Sequence, residues 1–187
     1  MAESFPTGVQ WDHEPPKESR SIVWQIRRTP TGKKAGGLIL SHRLVGTHTH
    51  FWHGRTRPCN QTSCEACDQG QKPRWHGYLA LTDRELKERW ITEIPALAAD
   101  AVDRYFGEHR TLRGAWINLG RVNNKPNGRV VCSLRDSGVA AGLLPEGPTL
   151  QPILMRMWEV RECQTSFPTV DELRVHRGLL GQMEDVG

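Results

Sequence analysis

The sequence predicts an α+β domain, mainly β with helices. Short runs of β-branched and aromatic residues alternate with polar ones along most of the chain up to Leu134. One longer stretch, 83–108, repeats its apolar residues at helical spacing. Clusters of Gly, Pro and Asn punctuate the runs at short intervals, as at Thr31–Gly37 and Asn123–Gly128.

Taken in order, Met1–Ser19 is polar, carries Pro6, Pro15 and Pro16, and reads as a flexible N-terminal arm. Ser21–Thr29 alternates as a first strand. Leu38–Phe51 reads as a long second strand with Gly46 as a bulge. The cysteine-bearing segment 53–73 is loop-like, and Arg74–Leu81 is a third strand. Thr82-Asp83-Arg84-Glu85 has the form of a capping box opening a helical segment to about Glu108, broken at Pro95. Leu112–Leu119 and Arg129–Leu134 are a fourth and a fifth strand, joined by a turn with Asn127-Gly128 as its strongest signal. Val139–Leu144 is a helical turn, Pro152–Val160 a further strand, and Val170–Gly181 a short terminal helix.

Three strands, a helix and two strands is the element order of a five-stranded OB-fold barrel. The cysteine loop is inserted between its strands 2 and 3. With 187 residues, the chain divides into the arm at 1–19, an OB-fold domain at 20–160 with a metal subdomain at about 50–73, and a tail at 161–187.

The formal charge of +4 is unevenly spread. Residues 20–75 carry ten Lys/Arg against two acids, Glu65 and Asp68, a local excess of +8. Such a concentration is the electrostatic footprint of a polyanion partner. No run approaches the roughly 20 apolar residues of a membrane span, and the first twenty residues hold no apolar secretory core. A cytoplasmic protein is expected, nucleoid-associated or in host cytoplasm if viral. Five cysteines in such a chain favour metal over disulfides.

Cys59, Cys64 and Cys67 lie within nine residues, with His48, His50 and His53 just upstream. Three thiolates and one imidazole are the ligand set of a structural Zn²⁺ site. Cys64-x-x-Cys67 is a knuckle, and Cys59 adds a third thiolate from the incoming limb. His50 is the first choice for the fourth ligand and His53 the alternative; His76 is a third candidate. Four protein ligands leave no open position for water. The His-x-Glu of zinc deaminases, the Walker loop, Gly-x-Ser-x-Gly and His-Glu-x-x-His are all missing from the sequence. A binding module rather than an enzyme is expected.

Single strands are held by basic grooves with rings on which bases stack. The candidates are Arg27, Arg28, Lys33, Lys34, Arg43, Arg55, Arg57, Lys72 and Arg74, with Trp52, Trp75 and Tyr78 as the stacking residues. Phe51 precedes Trp52 in the same run. Trp24 and Trp116 are expected in the core, and Trp90 and Trp158 in packing.

On His50 (or His53), Cys59, Cys64 and Cys67, set in a basic five-stranded core, the chain resembles the zinc-containing OB-fold single-stranded-DNA-binding proteins. The resemblance implies a zinc subdomain inserted in a barrel, sequence-tolerant binding of single-stranded DNA, and roles in replication, recombination or repair. It places the chain in a phage, plasmid or mobile element, or among bacterial accessory factors. It also implies an acidic C-terminal tail that recruits replication or recombination proteins; here the last six residues carry two acids, Glu184 and Asp185. Two other readings stand beside it: an RNA-binding zinc module, and a protein-interaction adaptor using the acidic helical segment.

Overall fold

The structure, a computed structural model, describes residues 24–59 and 64–158. The N-terminal arm, the start of the first expected strand and the helix expected at 170–181 lie outside the described residues.

Eight strands and three helices follow in the order β1 (Ile26–Arg27), β2 (Ala35–Ile39), β3 (Val45–Trp52), β4 (Arg55–Pro58), α1 (Glu65–Asp68), β5 (Arg74–Thr82), β6 (Arg89–Pro95), α2 (Ala96–His109), β7 (Ala115–Arg121), β8 (Val130–Asp136) and α3 (Leu150–Met157). The α+β expectation holds. The pairings give eight strands rather than five, and among the described residues they do not close into a barrel.

β5 is the hub of the sheet. One edge pairs along its length with β6, from His76↔Pro95 to Thr82↔Arg89. The other edge is shared: β3 takes Arg74–Tyr78 and β2 takes Leu81–Thr82, both antiparallel. β2 therefore ends at a corner, which reports a break inside the expected 38–51 strand. Leu40 N–H donates to Ala80 O (2.8 Å) and the Ser41 hydroxyl accepts from Ala80 N–H (2.8 Å). These two bonds keep the β5 backbone satisfied while the chain changes direction. Beyond β2 the sheet continues through β7 to β8.

Alternation along β2 and β5 sends side chains to two covered faces. Ile39, Leu79 and Leu81 join Ile94, Ile117 and Leu119 under Ala98, Ala99 and Val102 of α2. Leu38, Leu40, Tyr78 and Ala80 join Ile91 under Leu150 and Leu154 of α3. Burial on both faces explains why Tyr78-Leu-Ala-Leu81 reads as a continuous apolar run.

Tryptophans fill this sheet where glycines make room. Gly46 and Gly77 face each other across β3 and β5. A Cβ on Gly46 would stand 2.2 Å from the Trp75 ring, and one on Gly77 2.9 Å from it. Gly46 is thus no bulge; it stays in register so that the Trp75 indole can lie across the pair. Gly37 likewise opens space for Trp90, whose ring would meet a Cβ there at 3.0 Å.

Two element expectations are corrected. Thr82–Glu85 starts no helix: Thr82 ends β5, residues 83–88 are the loop of the β5–β6 hairpin, and Arg89–Pro95 is a strand. The Asp83 carboxylate accepts the backbone N–H groups of Lys87 (2.7 Å) and Glu88 (3.1 Å), and the Thr82 hydroxyl donates to Glu88 O (2.8 Å). Asp and Thr satisfy loop backbone as readily as a helix start. The helix begins only after Pro95, which serves as its N-cap residue, and ends at Arg110 in the left-handed region (φ 62°). The strand expected at 152–160 is α3 as far as it is described. Leu150 and Leu154, one turn apart, are buried against the sheet. Pro152 falls in the first turn, where a missing N–H costs no intrahelical bond. The helical turn expected near 139–144 is a short 3₁₀ helix at Ala141–Leu143.

Candidate metal centre

β3 and β4 form a hairpin in which Trp52 pairs with Arg55, leaving a two-residue turn. His53 (φ 47°) and Gly54 (φ 75°) both take left-handed conformations there, as a type I′ turn requires. The turn places His53 at the exposed tip of the hairpin, its ring 4.8 Å from Trp52. His53 is therefore not the fourth ligand. His50, three residues back, is 97% buried at 3% relative exposure.

β4 then runs alongside β3, with His50 opposite Arg57 and Thr49 opposite Pro58. Cys59 follows directly, its N–H donating to His48 O (2.8 Å). The chain returns at Cys64, the residue before α1. Asp68 N–H bonds back to Cys64 O (3.0 Å) and Gly70 N–H to Cys67 O (2.8 Å). This single turn of helix carries Cys67 towards the β3–β4 hairpin while Ala66 is buried beneath it.

The Nε2 or Nδ1 of His50 and the Sγ atoms of Cys59, Cys64 and Cys67 all lie within 4.8 Å of one another. Cys67 Sγ is 3.3 Å from His50 Nε2 and 3.5 Å from Cys59 Sγ. A tetrahedral ion with M–S bonds of about 2.3 Å and M–N bonds of about 2.0 Å has S···S edges of about 3.8 Å and S···N edges of about 3.6 Å. The four side chains can hold a metal ion with little adjustment.

Electrostatics point the same way. Burial lowers the His50 pKa, which keeps the imidazole neutral, the form that donates to a metal. Burial, then contact with Cys59 and Cys64, pushes the Cys67 thiol up to about 12. A bound cation reverses that and deprotonates the thiols that ligate it. His50 Nδ1 is buried without a hydrogen-bond partner among the described residues.

The residues expected on a nucleic-acid surface divide. Trp75 and Tyr78, expected as stacking platforms, are core: Trp75 is 8% exposed and Tyr78 fully buried. Trp75 fills the space over Gly46 and Gly77, and Tyr78 packs edge-on against Trp158 with centroids 5.5 Å apart. Trp52 is half-buried. Arg27 lies over Trp90 (4.7 Å) and pairs with Glu88 (3.2 Å), and Arg43 lies over Phe106 of α2 (5.5 Å). Lys33, Lys34, Lys72 and Arg74 are exposed, and Arg55 stands opposite Trp52 in β4. Trp90 is buried as expected; Trp24 and Trp116 are half-buried at the margin of the core.

Arg28 and Arg57 do come together, with Phe51, in one groove beside the candidate metal centre. Phe51 is 61% exposed, and the Arg28 guanidinium sits 5.8 Å from its ring centroid. Glu93 and Trp158 line the same groove and were not singled out for it in the sequence. The signal for Phe51 was available: if His50 faces the thiols, its strand neighbour faces away.

Comparison with known protein families, with curated proteins and with solved structures finds no match. No described helix is long and apolar enough to cross a membrane.

Proposed function

We propose that this protein binds single-stranded DNA with little demand on its sequence, on a surface shaped by a structural zinc ion. The observation that carries this reading is the exposed Phe51 ring with Arg28 and Arg57 around it, on the strand that also supplies His50. A ring offers a base its face, and guanidiniums offer phosphates their charge. Zinc is favoured because one imidazole and three thiolates with four-fold closure suit it better than the oxygen-preferring cations. The ion's role is to fix the β4–α1 limb and so the hairpin that presents Phe51.

The strand pairings support an OB-fold reading of the sheet. With β2 and β3 taken as one bent strand, the strands that follow are β5, β6, then α2, then β7 and β8. β7 lies beside the β2 part of the bent strand, giving the 4-1-2-3 neighbour order of a Greek key. OB-folds are partly open barrels of this kind. The cysteine limb enters between the first and second of these strands, as in the proteins the sequence resembles. Binding of this type serves replication, recombination or repair, and it requires no catalytic group.

The test is anisotropy of a labelled dT oligonucleotide titrated with protein at several salt concentrations. Binding that weakens as salt rises and exceeds that of a matched duplex is expected. Phe51→Ala should weaken it, by about 1–3 kcal/mol if one base stacks on the ring. Equal or tighter duplex binding, or none at low salt, overturns the reading. A matched RNA oligonucleotide that outcompetes DNA replaces DNA by RNA as the ligand.

A further inference from the structure

The groove that holds Phe51 has more structure than a stacking surface needs. Its volume is about 330 Å³, and Arg28, Phe51, Thr56, Arg57, Glu93 and Trp158 are among its walls. That is the low end of the roughly 300–1,000 Å³ of small-ligand sites, room for one ring system and its sugar rather than for a run of bases. Phe51 and Trp158 supply aromatic walls from β3 and from the end of α3. Trp158 is set by its edge contact with the buried Tyr78. Arg28 is set as well, by contacts to Glu93 (3.5 Å) and to the Thr56 hydroxyl.

An acidic side chain in a groove meant only for a polyanion is counterproductive, because it repels phosphate. Glu93 is nevertheless there, with 11% of its side chain exposed. It is held in place by the Arg28 guanidinium and the His76 imidazole, whose contacts at 3.5 and 3.8 Å both fall on Oε1. Oε2 keeps its acceptor capacity. A positioned carboxylate at the bottom of an aromatic-walled groove accepts hydrogen bonds from N–H donors on a base edge. Of the four DNA bases, guanine alone offers two adjacent ring and amino N–H donors on its Watson–Crick edge, a match for a carboxylate.

We propose that this groove takes one unstacked guanine, with Glu93 accepting from its N1–H and N2–H groups and Phe51 against its face. Arg57, exposed at the rim, meets the adjoining phosphate. The inference rests on the single-strand reading above and adds one locally selective position to an otherwise tolerant surface.

The test compares three labelled oligonucleotides: all dT, dT with one central dG, and dT with one central deoxyinosine, which keeps N1–H and lacks the amino group. The dG oligonucleotide should bind roughly fivefold more tightly than all-dT, the lower end of what a two-bond base contact confers. Inosine should lose most of that gain. In Glu93→Gln the dG-to-dT ratio should fall towards one. Should that variant fold poorly, the three-way comparison on the unaltered protein decides alone. Salt-dependent binding with equal affinity for all three oligonucleotides overturns the guanine site and leaves the single-strand reading standing. Failure to bind any of them removes both.

Discussion

On the α2 face of the sheet, Ile39, Leu79, Ile94 and Ile117 are fully buried among other apolar side chains. At the β3–β4 corner the buried groups include Thr49, His50, Pro58, Cys59 and the small Ala66. The first region needs nothing beyond itself, since each large apolar side chain contributes about 1.5–3 kcal/mol on burial. The second buries little apolar area, and His50 and Cys59 are among the four groups that could hold an ion. The two regions share β3 and β5, so the molecule tests how far this candidate metal corner depends on the core it is attached to.

Metal removal is the strongest way to separate them. The purified protein should contain one zinc per chain, and a chelator or Cys67→Ser should remove it. Amide exchange at Cys59 and in 64–71 should then lose its protection, while β7 amides such as those of Ile117 and Leu119 keep theirs. Loss of protection in both at once means that the corner and the core are one cooperative unit. Retained protection at the corner in zinc-free protein means that the ion does not organise it.

Trp75→Ala attacks the junction. The ring is core rather than surface, so a loss of about 3–5 kcal/mol is expected in denaturant unfolding. A loss below about 1 kcal/mol, the range of surface changes, would return Trp75 to the surface. Gly46→Ala presses on the same ring from the other side, because the added Cβ would fall 2.2 Å from it. A loss of about 1–3 kcal/mol is expected. Combined with Trp75→Ala, Gly46→Ala should cost far less than it does alone, because the ring it strikes is gone.

The contrast also explains what could be read from the sequence. The thiol spacing survives translation into space because Cys64-x-x-Cys67 needs only one turn, and Cys59 follows β4 directly. The choice between His50 and His53 was hidden in the hairpin: two left-handed residues, His53 and Gly54, put one imidazole at the tip. The rings were harder. Trp75 sits between Arg74 and His76 in sequence, and only the facing glycines reveal it as core, whereas Tyr78 opens an apolar run that could have placed it there. Thr82-Asp83-Arg84-Glu85 misled because the same polar residues serve a loop instead: Asp83 accepts from Lys87 and Glu88, four and five residues on, where a helix cap accepts from two or three residues on. At 152–160, Leu150 and Leu154 carry a helical period that a reading begun at Pro152 leaves half out. Glu93 and Trp158 reach their groove only through the β5–β6 pairing and the docking of α3, neither of which is local.

The smallest effect concerns the polar pair that links the two regions. His76 of β5 lies 2.7 Å from the Thr49 hydroxyl by Nδ1 and 3.8 Å from Glu93 by Nε2. Burial lowers its pKa from the ordinary 6.5; Glu93 opposes this, while Arg28 and Arg74 reinforce it. The folded protein therefore binds this proton less readily than the unfolded chain does. Protonation favours unfolding, so the contribution is complete above 6.5 and is lost as pH falls below that value. His50 shifts in the same direction and as a metal ligand would release the ion on protonation, so acid sensitivity alone does not identify His76. The difference between the unaltered protein and His76→Gln does, because His50 is common to both. Glutamine keeps a hydrogen-bonding group near Thr49 and does not titrate. Its unfolding midpoint should fall less steeply below pH 6.5 than that of the unaltered protein. Parallel curves would mean that His76 has the same pKa folded and unfolded, with Glu93 cancelling burial, and a steeper fall for His76→Gln would mean that Glu93 outweighs it.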